Sequence, residues 1–189
     1  VRLFTGIAID PRVLDKLGGL LDKMRPFARL NWSPVENLHI TSKFIGEFAE
    51  QRLPELKQVL GEISPPGLIS INVSRFGFFP NPHHPRVLFA GVHAGPQLTA
   101  LARSLDEALV PLGCPREERP YSPHLTLAKI KNENIRDLRE HIASMTDTDF
   151  GSFDAVDFHL YLSKPGPRGS VYTKLASYPL AGRETARNA

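Results

Sequence analysis

The chain reads ENLHITSKF at residues 36–44 and YSPHLTLAK at residues 121–129, and the fold turns on what these two stretches share. Each spells histidine, an apolar residue, then threonine. With seven histidines and eight threonines in 189 residues, chance supplies about 0.3 such triplets. In an extended strand, residues two apart project to the same side. His39 and Thr41 therefore point one way and Ile40 the other; His124 and Thr126 do the same in front of Leu125 and Leu127. The two histidines lie 85 positions apart, close to half the chain. An internal duplication would set the two strands in equivalent places about a pseudo-two-fold axis, with a cleft shared between the halves.

The flanking sequence fits such a duplication, because each half runs helix, His-x-Thr strand, helix. Asp10-Pro11 supplies an N-cap and a first-turn proline. Val13, Leu14, Leu17, Leu20, Leu21 and Met24 then recur at helical spacing. A second helix is marked by Leu53, Leu56, Val59, Leu60 and Ile63. A third, started by Gly95-Pro96, carries Leu98, Leu101, Leu105 and Leu109, and Ile135, Leu138 and Ile142 mark a shorter fourth. Strands are expected at Leu3–Ile9, at the alternating run around Ile69, Ile71 and Val73, and at RVLFAGV (86–92). FDAVDFHLYLS (153–163) and SVYTKLAS (170–177) read as a closing pair joined by the Pro165–Gly169 turn. Strands and helices alternate neither strictly nor in blocks, so the fold class is α+β: bilobal, with two largely antiparallel sheets and flanking helices. One domain over residues 1–180 and a polar, fraying tail at 181–189 are expected.

Composition narrows the function. A net charge of +3 and a pI near 9.1 help an anionic ligand approach without coating the surface for nucleic acid. One cysteine, Cys114, excludes an internal disulfide framework and a cysteine-rich zinc site, and leaves a cytoplasmic location as the default. No apolar run reaches the ~18 residues that would span a membrane. The run from Leu3 to Ile9 ends at Asp10-Pro11 without a cleavage pattern, so it reads as a strand rather than a secretory signal. A monomer is expected.

Two imidazoles and two hydroxyls converging in a cleft suit phosphoryl transfer without a metal. A neutral histidine takes a proton from the nucleophile, a protonated one gives a proton to the leaving oxygen, and the hydroxyls donate to the non-bridging oxygens. A lone His-x-Thr is equally what a half-buried histidine beside a β-favouring threonine produces, so the duplication carries the reading. Metal ligation lacks further ligands at a readable spacing. His83-His84 sits in a proline-flanked loop and reads as solvated; His93, His141 and His159 have no patterned partners. Cys114 lies in a loop without a paired base. Phe4 and Trp32 could stack on a base, although core packing accounts for both. By strand alternation Lys43 shares the face of His39 and Thr41 and is expected as a second cation there.

With these residues in view the chain resembles the two-histidine phosphoesterase superfamily. It is most similar to the bacterial and archaeal RNA 2',3'-cyclic phosphodiesterases, also called 2'-5' RNA ligases. The resemblance extends to RLFTGIAID (2–10), NWSPVENLHITSKFIGE (31–47), PRVLFAGV (85–92) and YSPHLTLAKI (121–130), and so covers nearly the whole chain to Tyr178. It implies a bilobal fold, no cofactor, His39 as proton donor, His124 as proton acceptor, and Thr41 and Thr126 as phosphate-binding hydroxyls. Two departures stand out. Ser42 occupies a motif position that is usually apolar, and Lys129 stands where relatives often have arginine, replacing a bidentate fork by a point charge. The activity implied is hydrolysis of a terminal 2',3'-cyclic phosphate on RNA or a nucleotide to a 2'-phosphomonoester, with reverse ligation through the same site. The rivals are a non-catalytic nucleotide or RNA binder and a phosphodiesterase for a small cyclic phosphate such as an ADP-ribose derivative.

Overall fold

In a computed structural model describing residues 1–182, nine strands and four helices follow one another in the order set by the hydrophobic pattern. They are β1 (Arg2–Ala8), α1 (Pro11–Met24), β2 (Asn31–Trp32), β3 (His39–Glu47), α2 (Leu53–Gly61), β4 (Ile69–Phe79), β5 (Val87–Ala94), α3 (Pro96–Ala108), β6 (His124–Lys129), α4 (Arg136–Ser144), β7 (Asp149–Ala155), β8 (Asp157–Gly166) and β9 (Gly169–Pro179). Of the expected polar tail, positions 183–189 lie outside the described residues. None of the described helices is long and apolar enough to cross a membrane.

The helix signals act as read. The Asp10 side chain accepts a hydrogen bond from the Arg12 N–H at 2.9 Å, Pro11 opens α1, and Pro26 lies in the 3-10 turn that ends it. Val13, Leu17, Leu21 and Met24 form its buried stripe. In α3 the stripe is Leu98, Leu101, Ala102 and Leu105. Burying each large apolar side chain of these stripes contributes roughly 1.5–3 kcal/mol, which holds the helices to the sheets.

Two antiparallel sheets form, in the orders β3-β1-β8-β9 and β2-β6-β5-β4-β7. The halves of the chain are interleaved in them. The strand that follows the first half, β4, joins the second sheet, and β8 and β9, which follow the second half, complete the first. Helices are exchanged as well: α1 packs against β7 of the second sheet, and α3 against β3 of the first. One contiguous core runs through both, from Leu3, Ile7 and Ile40 to Leu88, Leu125 and Leu127.

The closing segment differs from the expected single strand. At Val156, which is exposed, the chain leaves one sheet for the other: β7 pairs with β4, whereas β8 pairs with β1 and β9. The Val156 carbonyl, freed from either ladder, accepts a hydrogen bond from the Leu180 N–H at 2.8 Å. The apolar run continues through the switch because both strands need it, so hydrophobicity alone does not mark the break.

Candidate active site

β3 forms an edge of the first sheet, β6 lies in the second, and the two pack against each other across the cleft. His39, Thr41, His124 and Thr126 all line one cavity of about 310 Å³, while Ile40 and Leu125 behind them are fully buried. The paired triplets thus meet as the strand period requires. Immediately after each triplet the period breaks. Gly6 pairs with Thr41 and Thr5 with Lys43, leaving Ser42 as an extra residue; Phe89 pairs with Thr126 and Leu88 with Ala128, leaving Leu127 extra. These are β-bulges, which re-aim every side chain that follows.

The bulge overturns the expectation for Lys43. Strand alternation puts it in the cleft; the extra residue turns it to the opposite side, where its side chain is 2% exposed. Its Nζ lies 2.8 Å from Asp106 Oδ1 on α3, 2.9 Å from the Pro115 carbonyl and 3.3 Å from Glu117 Oε1. Phe44 takes the cleft position instead, and in the second half the matched position belongs to Lys129, which lines the cavity as expected. Ser42, the polar departure, is buried with its hydroxyl 2.8 Å from that of Thr5, so each satisfies the other behind the strand.

Both imidazoles are held in one tautomer by a backbone carbonyl two residues upstream. His39 Nδ1 lies 2.7 Å from Asn37 O, and His124 Nδ1 lies 2.8 Å from Ser122 O. A carbonyl only accepts, so each Nδ1 carries the proton and each neutral ring offers its Nε2 lone pair. The Thr41 hydroxyl, 2.9 Å away, donates to His39 Nε2. Burial is the largest influence on His39 and pushes its pKa below 6.5; the Asn37 carbonyl partly offsets this, and the charge of His124 adds to it.

Aromatic side chains fix both rings. Phe4, itself buried, packs on His39 with centroids 4.6 Å apart, and Tyr172 meets the ring edge-on at 5.2 Å. Phe79 and Phe89 stack on each other at 4.2 Å and abut His124 at 4.8 and 5.7 Å. Gly77 leaves room for this wall, because a Cβ there would overlap the Phe89 ring. Phe4 therefore belongs to the core and backs the site at once. Trp32 lines the cleft too, its indole N–H bonded to the Ala28 carbonyl. The lobes are tied at the motif itself by Tyr121, whose hydroxyl donates to the Thr41 carbonyl at 2.7 Å.

Several cleft residues escape sequence reasoning. Arg2, Phe44, Arg168 and Tyr172 line the cavity, yet Arg168 reads only as part of a turn and Phe44 is hidden by the bulge. One further signal lies in the duplication: Leu3-Phe4-Thr5-Gly6 and Leu88-Phe89-Ala90-Gly91 are also 85 positions apart, and they supply Phe4 and Phe89. The remaining histidines lie elsewhere. His159 is buried against the Ser177 hydroxyl and His141 stacks on Phe27. Cys114 is buried, and burial raises its pKa while the charges of Lys43 and Arg52 oppose the rise. Among the described residues no group of three or more His, Cys, Asp or Glu side chains is placed to hold a metal ion.

Paired His-x-Thr strands from interleaved lobes, facing one cleft, define a two-histidine phosphoesterase architecture. The 2'-5' RNA ligase superfamily model matches residues 13–165, and the chain belongs to that superfamily. It is 34% identical over 173 residues to the RNA 2',3'-cyclic phosphodiesterase of Methanocaldococcus jannaschii, covering 91% of this chain and 96% of that protein. It is 31% identical over 175 residues to the enzyme of the same name from Archaeoglobus fulgidus, covering 93% and 98%. A crystal structure of a Thermus thermophilus protein superposes with a TM-score of 0.78 at 28% identity, covering 97% of this chain and all of that one. Escherichia coli LigT bound to 3'-AMP shares the fold, with a TM-score of 0.76 at 24% identity and coverage of 96% and 98%.

Proposed function

We propose that the protein opens a terminal 2',3'-cyclic phosphate on RNA to a 2'-phosphomonoester, with His39 as proton donor and His124 as proton acceptor. The observation that carries this reading is the pair of carbonyl-locked imidazoles presenting Nε2 to a single cleft between two threonine hydroxyls. The neutral His124 Nε2 takes a proton from water as the water oxygen attacks phosphorus. The bond from phosphorus to the 3' oxygen breaks, and protonated His39 delivers its Nε2 proton to that oxygen. General acid and base groups of this kind each contribute roughly 10²–10⁴-fold.

The hydrogen bond between Thr41 and His39 gives the cycle a switch. With His39 neutral, the Thr41 hydroxyl donates to Nε2. A proton on Nε2 ends that bond, and the hydroxyl is free to rotate and donate to a non-bridging phosphoryl oxygen, opposite the donation from Thr126. The anionic substrate supplies the charge that favours protonated His39 in a site whose burial disfavours it. Lys129 adds a point charge at the rim. A 5'-hydroxyl replacing water is deprotonated by His124 in the same way, with the 3' oxygen again leaving on the His39 proton, and forms a 2'-5' linkage; the two histidines exchange roles only when the 3'-hydroxyl attacks that linkage and expels the 5' oxygen.

The test is turnover of a 2',3'-cyclic nucleotide and of RNA ending in a cyclic phosphate, in excess EDTA, with the product phosphate located by its NMR coupling. Formation of the 2'-phosphomonoester at an unchanged rate supports the reading. Binding without turnover would favour the non-catalytic module, and loss of activity restored by zinc or manganese would refute the mechanism.

A further inference from the structure

Past Lys129 the chain passes from the cleft to a second depression. The next residue, Ile130, is buried and its N–H bonds to the Arg86 carbonyl at 2.8 Å. Lys131 then enters this depression, a shallower one of about 510 Å³ between the 80–86 and 130–136 loops. That depression is built around cations. Arg86 Nη1 bonds to the Lys131 carbonyl at 2.6 Å, and Arg139 lies 4.8 Å over the Phe78 ring and bonds to the Pro82 carbonyl. Carbonyls and a ring orient these guanidinium groups without cancelling their charge. His83 and His84 are exposed on a loop whose N–H groups are gathered by Asn81 Oδ1 at 2.9 and 3.0 Å.

The counter-charge is spent elsewhere. Glu133, the acidic residue lining the depression, turns its carboxylate into its own loop and accepts the Lys131 N–H at 2.6 Å; the N–H groups of Glu133, Lys131 and Asn132 hold its pKa below the usual range, and the charge of Lys131 lowers it further without forming an ion pair. Asp137 and Glu140 pair with Arg136. Among the described residues Arg86, Lys131 and Arg139 have no carboxylate within salt-bridge distance. Cations outside any ion pair thus follow Lys129 of the cleft lining along the chain into the depression.

We propose that this depression, joined to the cleft by the Lys129–Lys131 segment, binds the backbone phosphates of the single-stranded RNA leading to the terminal cyclic phosphate. The proposal rests on the phosphodiesterase reading and narrows its substrate to a polynucleotide. Phosphate contacts from unpaired cations give sequence-independent affinity that falls with salt, and Arg86, Lys131 and Arg139 are not among the residues that line the cleft where a mononucleotide would sit.

The experiment compares kcat/KM for a 2',3'-cyclic mononucleotide and for a hexanucleotide ending in 2',3'-cyclic phosphate, at stepped potassium chloride concentrations. The hexanucleotide should be preferred by about tenfold or more at low salt, with a log–log salt slope steeper by about 0.7 for each phosphate engaged. Lys131→Glu, whose side chain supports none of the loop hydrogen bonds, should abolish most of the preference while mononucleotide turnover stays within about twofold. Equal kcat/KM and salt dependence for the two substrates, or a Lys131→Glu loss shared by both, would overturn the proposal. Should neither substrate turn over, the phosphodiesterase reading fails by itself. Fluorescence anisotropy of a labelled hexanucleotide then decides: tighter binding to the wild type than to Lys131→Glu upholds the RNA surface, and equal binding overturns it.

Discussion

Replacing Lys43 with methionine keeps the length of the side chain and removes the ammonium. Breaking a fully buried ion pair by deleting one partner costs about 3–5 kcal/mol. Here Asp106 is 19% and Glu117 58% exposed, so water recovers part of their solvation, and Asp106 keeps the Glu117 N–H at 3.0 Å. The Pro115 carbonyl loses its donor, at about 1–3 kcal/mol if it stays dry. A net loss of about 2–3 kcal/mol is expected, read as the shift of the urea midpoint and as a fall in Tm of about 5–10 °C for a chain of this size. Activity measured well below Tm should change by no more than about threefold, because the ammonium faces away from the cleft. Acid provides a second check. Burial works against the Asp106 carboxylate, but the bond from Lys43, the Glu117 N–H and the charges of Lys43 and Arg116 outweigh it and hold its pKa below 3.8. That stabilisation is present above 3.8 and is lost as pH falls through the lowered value, so the gap between wild type and Lys43→Met should close below about pH 4. A hundredfold loss of turnover with native stability would refute the reasoning and return Lys43 to the cleft.

Thr126→Ala should lose about 10²–10³ in kcat with its fold intact, and Thr126→Ser should retain most activity; wild-type turnover by the alanine variant would make the side chain structural. The pH profile of kcat/KM should be a bell whose macroscopic values belong to the coupled pair. Its acid-side limb should lie below pH 6.5, because the lower of the two values cannot exceed the depressed pKa of His39. On a nitrophenyl phosphodiester, whose leaving group needs no proton, His39→Ala should be rescued and His124→Ala should not; the opposite pattern would reverse the assigned roles. Gly6→Ala would set a Cβ 2.8 Å from the Ile40 carbonyl and 3.4 Å from His39 Cδ2. It should cost about 1–3 kcal/mol in urea unfolding and lower kcat by displacing the ring, whereas an unchanged variant would show that β1 can move away without consequence.

Legibility in the sequence follows the physics of each signal. The four helices are readable because a one-sided apolar stripe repeats every three or four residues and the Asp10-Pro11 and Gly95-Pro96 starts are local. His39, Thr41, His124 and Thr126 are readable because period two holds from the first residue of each triplet to the third. Alternation misplaces Lys43 one step later because a bulge depends on the partner strand: nothing in ITSKF says that Ser42 goes unpaired against Thr5 and Gly6. Arg2, Arg168 and Tyr172 come to the cleft from β1, the β8–β9 turn and β9, and only the sheet order brings those segments beside β3. The exchange of β4 and β8 between halves is likewise a non-local choice that apolar patterning leaves open.

That exchange also sets the order in which the molecule can come into being. β1 leaves the ribosome well before its neighbour β8, which is made more than 150 residues later. Until then β1 has β3 on one side only, and its other edge is an unpaired template for any strand nearby. Tyr172, which meets His39 edge-on, arrives later still, on β9. The cleft therefore cannot mature half by half: the first sheet closes only when the β8–β9 hairpin docks beside the first strand, a long-range pairing of the kind that folds slowly. Emergence of that hairpin, rather than synthesis of either motif, is the event that creates the site.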